Sequence, residues 1–203
     1  MKKKTVIYVI FIISILLSSC SVILSKMYGI KQLNSFNEKE YNNFIAKINN
    51  DRCLSYIISD SSQYKKVINL GHTQKEKNNL GQPIQILYFE KNVLKSYHIN
   101  CLAKGSLTNL NWNTDNRFSV FIPKTAVNID SLKINLKDYI NIYPNLKNRN
   151  DKRYTILIFW TLMLDKISYS AIETVFSNLK QYKKENETSV ILINTDKYFS
   201  TIN

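Results

Sequence analysis

The sharpest patterning of apolar and polar positions lies in the last fifty residues. Tyr154 to Trp160 is a near-continuous apolar run of strand length, as a strand buried on both faces requires. Ser170 with Glu173 has the spacing of a capping box, and Ala171, Ile172, Val175, Phe176, Leu179 and Tyr182 follow at helical intervals. Ser189 to Asn194 is a second buried strand. Strand, helix and strand over about forty residues predict a βαβ unit spanning 154–196, with parallel strands and a right-handed crossover.

Upstream, Asn37 is a candidate N-cap with Glu40 three residues on, and Tyr41, Phe44, Ile45 and Ile48 continue at helical spacing. Cys53 to Ile58 has strand length, and Ser61 or Ser62 caps a short helix carrying Tyr64, Val67 and Ile68 that Gly71 closes. His72 to Pro83 is polar and reads as a loop. Ile84–Phe89 and Val93–Cys101, joined by Glu90-Lys91-Asn92, have the spacing of a hairpin. Alternation in the second run puts Val93, Tyr97, Ile99 and Cys101 on one face, so Cys101 is expected to point inward and His98 outward. Trp112 is expected in the core, Phe118, Val120 and Ile122 predict a strand ended by Pro123, and Leu132, Ile134 and Leu136 alternate before Lys137 to Tyr139 turns helical.

The N-terminus carries a different signal. Lys2, Lys3 and Lys4 precede an apolar run from Val6 to Leu17, the n-region and h-region of an export signal. Leu17-Ser18-Ser19-Cys20 then resembles the bacterial lipobox. That resemblance implies cleavage before Cys20, a diacylglycerol on its sulfur and an acylated amine. Two or three chains, at about 0.8 kcal/mol per buried CH₂, would anchor it permanently. The alternative is an uncleaved signal anchor, since Thr5 to Ser25 is long enough to span a bilayer. The expected organisation is a signal peptide over 1–19, a tether over 20–36 and a single α/β domain over 37–203. Its place would be a bacterial membrane, facing the periplasm or the exterior. Ser21 is not the aspartate that retains enteric lipoproteins at the inner membrane, which points to the outer one.

Composition narrows the chemistry. A 44% hydrophobic fraction over 203 residues supports a real core. Four glycines and three prolines argue against a Gly-rich phosphate loop, and two histidines with three cysteines argue against a zinc finger or a His-rich centre. No cofactor or metal is therefore expected. Net charge is +13 from 28 basic and 15 acidic residues, and loss of the three N-terminal lysines leaves +10. An exported basic protein meets anionic headgroups or an acidic envelope protein rather than nucleic acid, although lysines solvating the surface of an AT-rich gene's product would look the same. Lys147, Arg149, Lys152 and Arg153, with Asp151 the lone acid, form the densest basic stretch.

Leu136-Lys137-Asp138, then Tyr154 to Trp160 ending in Phe-Trp, a helix, and Val190 to Asp196 together resemble the first half of membrane-anchored thioredoxin-like proteins of bacterial envelopes, over about sixty residues. The resemblance implies a thioredoxin-like mixed sheet. The positions that family gives to its Cys-x-x-Cys pair are Leu164 and Ile167 here, so thiol-disulfide exchange does not carry over. The family's cis-Pro segment and C-terminal hairpin have no counterpart after the second parallel strand. The hairpin over Ile84–Cys101 is expected to fill their antiparallel places.

Candidate chemistry is sparse. With Cys20 lipidated, Cys53 and Cys101 remain as an even pair in an oxidising compartment. A disulfide between them would close a loop of about fifty residues, worth on the order of 4 kcal/mol; two buried thiols, or a redox couple, are the other readings. Asp165 and Asp196 follow the two parallel strands, where open α/β sheets place their sites, and could bind a cation or do acid-base work. His72 and His98 have no nucleophile partner in a recognisable motif. The expectation is a lipid-anchored, non-catalytic binding or accessory module, with a redox partner using Cys53 and Cys101 as the alternative.

Overall fold

The computed structural model describes residues 30–48, 54–100, 112–147 and 152–202. The fold is α/β and thioredoxin-like. Strands β1 (Leu54–Ile58), β2 (Gln85–Glu90), β3 (Val93–Ile99), β4 (Tyr154–Trp160) and β5 (Thr188–Asn194) form one mixed sheet in the order β1-β5-β4-β2-β3. Helices are α1 (Glu38–Ile48), α2 (Ser61–Ile68), α3 (Gln74–Leu80), α4 (Leu136–Ile142), α5 (Asp165–Gln181) and α6 (Asp196–Phe199). β4 and β5 run parallel from Tyr154 opposite Thr188 to Trp160 opposite Asn194, as the βαβ pattern predicts. β1 lies parallel on the outer side of β5. The hairpin β2–β3 lies antiparallel beside β4, in the places the sequence reserved for it.

All seven residues of β4 are buried because the sheet is covered on both faces. Phe159 meets Tyr64 of α2 and Tyr139 of α4 on one side. Trp160, one residue on and therefore facing the other way, meets Tyr41 and Phe44 of α1. Each such side chain contributes about 1.5–3 kcal/mol through area removed from water. A buried glutamine ties the layers at the hairpin: Gln85 Nε2 donates to Leu80 O at 2.7 Å and to Tyr64 Oη at 3.0 Å, while Tyr97 Oη donates to Gln85 Oε1 at 2.7 Å. With these partners the amide can be buried without cost of an unmade bond.

Several expectations give way, each for a physical reason. The polar stretch His72–Pro83 contains α3, whose signal is a cap rather than a hydrophobic stripe: Thr73 and Glu76 form a capping box, and Glu76 also accepts from the His72 N–H at 2.8 Å. Helix α5 starts at Asp165, so Ser170 lies inside it and caps nothing. Phe118 to Ile122 is not a strand; Asn178 of α5 donates through Nδ2 to Phe118 O at 2.7 Å and Val120 O at 3.0 Å, supplying from a helix what a neighbouring strand would have supplied. His98 is buried rather than outward, and Leu94 and Ser96 with it, while Val93 is exposed. From Ser96 to His98 β3 is buried on both faces, because Phe118 packs on His98 while Tyr97 on the opposite face reaches α3 through Asn79 O. The tether reading ends early: Ile30 pairs with Leu164, and Leu33 is buried. Trp112 is buried, as expected.

Asn178→Ala should leave the Phe118 and Val120 carbonyls without their donor and lower stability by about 1–3 kcal/mol in urea denaturation. Proteolysis within residues 112–125 should rise in parallel; unchanged stability and cleavage would show that Asn178 does not hold this segment.

Candidate functional site at the ends of the parallel strands

β4 ends in Trp160 and continues through Thr161–Leu164 into α5, while β5 ends in Asn194 and continues through Thr195 into α6. Parallel strands bring these two turns side by side, where Thr195 N donates to Trp160 O at 3.0 Å. Asp196 closes the junction. Its Oδ1 accepts from Thr161 Oγ1 at 2.6 Å and from Leu162 N at 2.8 Å, and its Oδ2 accepts from Asn194 Nδ2 at 2.9 Å. The side chain is fully buried, and desolvation pushes its carboxyl above the usual range despite these donors. A carboxylate so occupied is a clamp between two turns.

Asp165 does something different. It opens α5, accepts from Lys166 N at 2.7 Å and faces Lys31 Nζ at 3.0 Å. Lys31 also lies 3.8 Å from Glu40 of α1. The two aspartates singled out in the sequence therefore share one sheet edge but not one ligand. Between α1 and the start of α5 is a cleft of about 270 Å³, floored by Phe44 and Leu162 and rimmed by Lys31, Glu40, Lys47 and Asp165. Lys47 Nζ stands 4.3 Å over the Tyr169 ring. A second cleft of about 270 Å³, with Tyr41, Tyr56 and Tyr143 in its wall, lies on the side of β1.

The positions that thiols would occupy are packed. Leu164 is fully buried and Ile167 is 6% exposed, both within the core that α1 completes. Phe44 stacks on Trp160 with centroids 4.5 Å apart and planes at 15°. Sequence reasoning did not foresee that α1 and Lys31 belong to this edge, because the contacts join segments over a hundred residues apart.

It also missed a buried polar pair. Ser96 Oγ lies 2.9 Å from His98 Nε2, with the two residues 0% and 1% exposed. Burial, with Arg117 nearby, brings the His98 pKa down to about 3, so the imidazole is neutral at physiological pH. A pair this enclosed is an internal hydrogen bond rather than a solvent-facing nucleophile.

Arg153 sits at the opposite end of β4, paired with Glu90 at 2.8 Å and stacked over Tyr154. Cys20, Cys53, Cys101, Arg149 and Asp151 lie outside the described residues. Among the described residues no group of three or more His, Cys, Asp or Glu is placed to hold a metal, and no helix is long and apolar enough to cross a membrane. Family models, curated proteins and solved structures offer no match to this chain.

Two measurements probe the buried groups. Asp196→Ala should strand the Leu162 N–H and the Thr161 hydroxyl and cost about 2–3 kcal/mol by chemical denaturation. His98 binds a proton in the unfolded chain below about pH 6.5 and in the folded one only near 3, so its contribution to stability should decline, by up to about 1.4 kcal/mol per pH unit, as pH falls through that window. Asp196, whose pKa is raised, acts in the opposite sense. A His98→Gln variant should flatten the acid limb of the stability curve; an unchanged limb would exclude His98 as its source.

Proposed function

We propose that the protein is a lipid-anchored binding module of the bacterial cell envelope, using the strand-end edge of a thioredoxin-like domain without thiol chemistry. The observation that carries the second half is the packing of Leu164 and Ile167 at the start of α5. Exchange needs a thiolate at that helix terminus, and two apolar side chains supply neither a nucleophile nor a leaving group. What the edge offers instead is a mixed-charge cleft with an apolar floor, a form suited to holding a ligand or a partner segment.

The anchor rests on Leu17-Ser18-Ser19-Cys20 behind its basic and apolar leader. From Cys20 to Ile30 is ten residues, a reach of at most about 36 Å when fully extended. Because Ile30 meets the domain at Leu164, an acylated Cys20 would hold the cleft within that distance of the bilayer, where anionic headgroups and other envelope proteins are the available partners.

Mass spectrometry of the membrane-extracted protein should find Cys20 as an acylated N-terminus; a full-length chain beginning at unmodified Met1 would overturn the anchor. Thiol trapping should find Cys53 and Cys101 unchanged by mild reductant and oxidant. A pair that cycles readily would instead establish the redox-partner reading.

A further inference from the structure

The first described residues of the chain already occupy the candidate edge. Lys31 N donates to Met163 O at 2.8 Å, and Ile30 and Leu164 form an antiparallel bridge. The Lys31 ammonium then reaches Asp165 at 3.0 Å and Glu40 at 3.8 Å. Main-chain pairing of this kind accepts any extended peptide, and the flanking carboxylates select a cation in it. We infer that the loop from Thr161 to Asp165 is a docking site for an extended peptide with a lysine or arginine after an apolar residue, held in cis by Ile30–Lys31. The inference deepens the binding-module reading and rests on it.

The occupant is shallow. Ile30 is 38% exposed, and both carboxylates and the ammonium reach solvent, so the ion pairs add little against competition. The rest of the N-terminal segment is seated independently: Leu33 is buried, and α1 rests on Trp160 through Tyr41 and Phe44. Residues 30–31 can therefore leave while the cleft wall stays in place. Opening of so small a contact belongs to the low-cost end of local fluctuations. A segment tethered in cis competes at millimolar effective concentration, which sets how strongly a peptide in trans must bind. The selecting charges are local: Glu40 and Asp165 face Lys31, while Lys47 and Lys166, which also line the cleft, disfavour a second cation in it.

The test uses the full chain and a fluorescent peptide copying residues 30–36, titrated by anisotropy. Lys31→Glu turns the cis contact into a repulsion and should raise peptide affinity about tenfold or more over the unchanged protein. Lys31→Pro, which removes both the N–H and the cation, should do the same by a different route. Asp165→Lys in the Lys31→Glu background should abolish binding of this peptide, because it turns the selecting charge around. A peptide with glutamate at its second position should not bind the Lys31→Glu protein. Equal affinity across these variants, or binding of both peptides alike, would overturn the site, as would no binding to either Lys31 variant whose thermal transition matches the parent. The mass of the Cys20 terminus, read on the same samples, keeps the two ideas apart. Lipidated protein that never takes the peptide sinks this site alone, and unlipidated protein that does take it sinks the anchor alone.

Discussion

The junction of the two central parallel strands depends on one carboxylate. Asp196 takes a hydroxyl and an amide from the turn after β4 and a side-chain amide from the end of β5. Parallel neighbours cannot share a hairpin, so nothing local forces their ends together. A buried anion with three donors does so at short range, and the same burial that raises its pKa makes those hydrogen bonds strong. The turn it holds leads directly into α5, so the position of Leu164, Asp165 and the cleft rim follows from it.

Around that junction the edge has been filled rather than left open. In a thiol-using member of this architecture the helix start would carry reactive sulfur beside solvent; here Leu164 faces the core and the N-terminal helix lies across Trp160. Stacked aromatics at 4.5 Å and 5.6 Å give this lid both area and orientation. What stays at the surface is charge: a lysine between two carboxylates, with two further lysines lining the same cleft. Binding chemistry there is a matter of ion pairs and main-chain bonds.

Much of the architecture was legible because its signals are local. Tyr154–Trp160 and Ser189–Asn194 are apolar runs with no polar alternative, and Asn37 with Glu40 forms its cap at 3.1 Å as its spacing suggests. The place of the rearranged hairpin was foreseeable from the resemblance, which implies antiparallel strands in that part of the sheet, together with the hairpin spacing of Ile84–Cys101. Two of the failures share a cause. His98 and the Phe118–Ile122 segment were assigned by alternation, which assumes that one face meets water. With Asn178 and Phe118 covering that side, the assumption fails, and polar side chains turn inward to partners that no period reveals.

The order of residues thus determined most of the strands and helices, the parallel sense of β4 and β5, the hairpin of β2 and β3 and the absence of sulfur at the helix start, all of which rest on side-chain type and short spacing. Tertiary structure alone decided that Asp196 is a clamp and Asp165 a surface charge, that α1 lies across Trp160, and that Lys31 sits between two carboxylates. Those outcomes depend on which distant segments share a face. Burial and pairing are properties of a neighbourhood, and the neighbourhood exists only once the chain has closed.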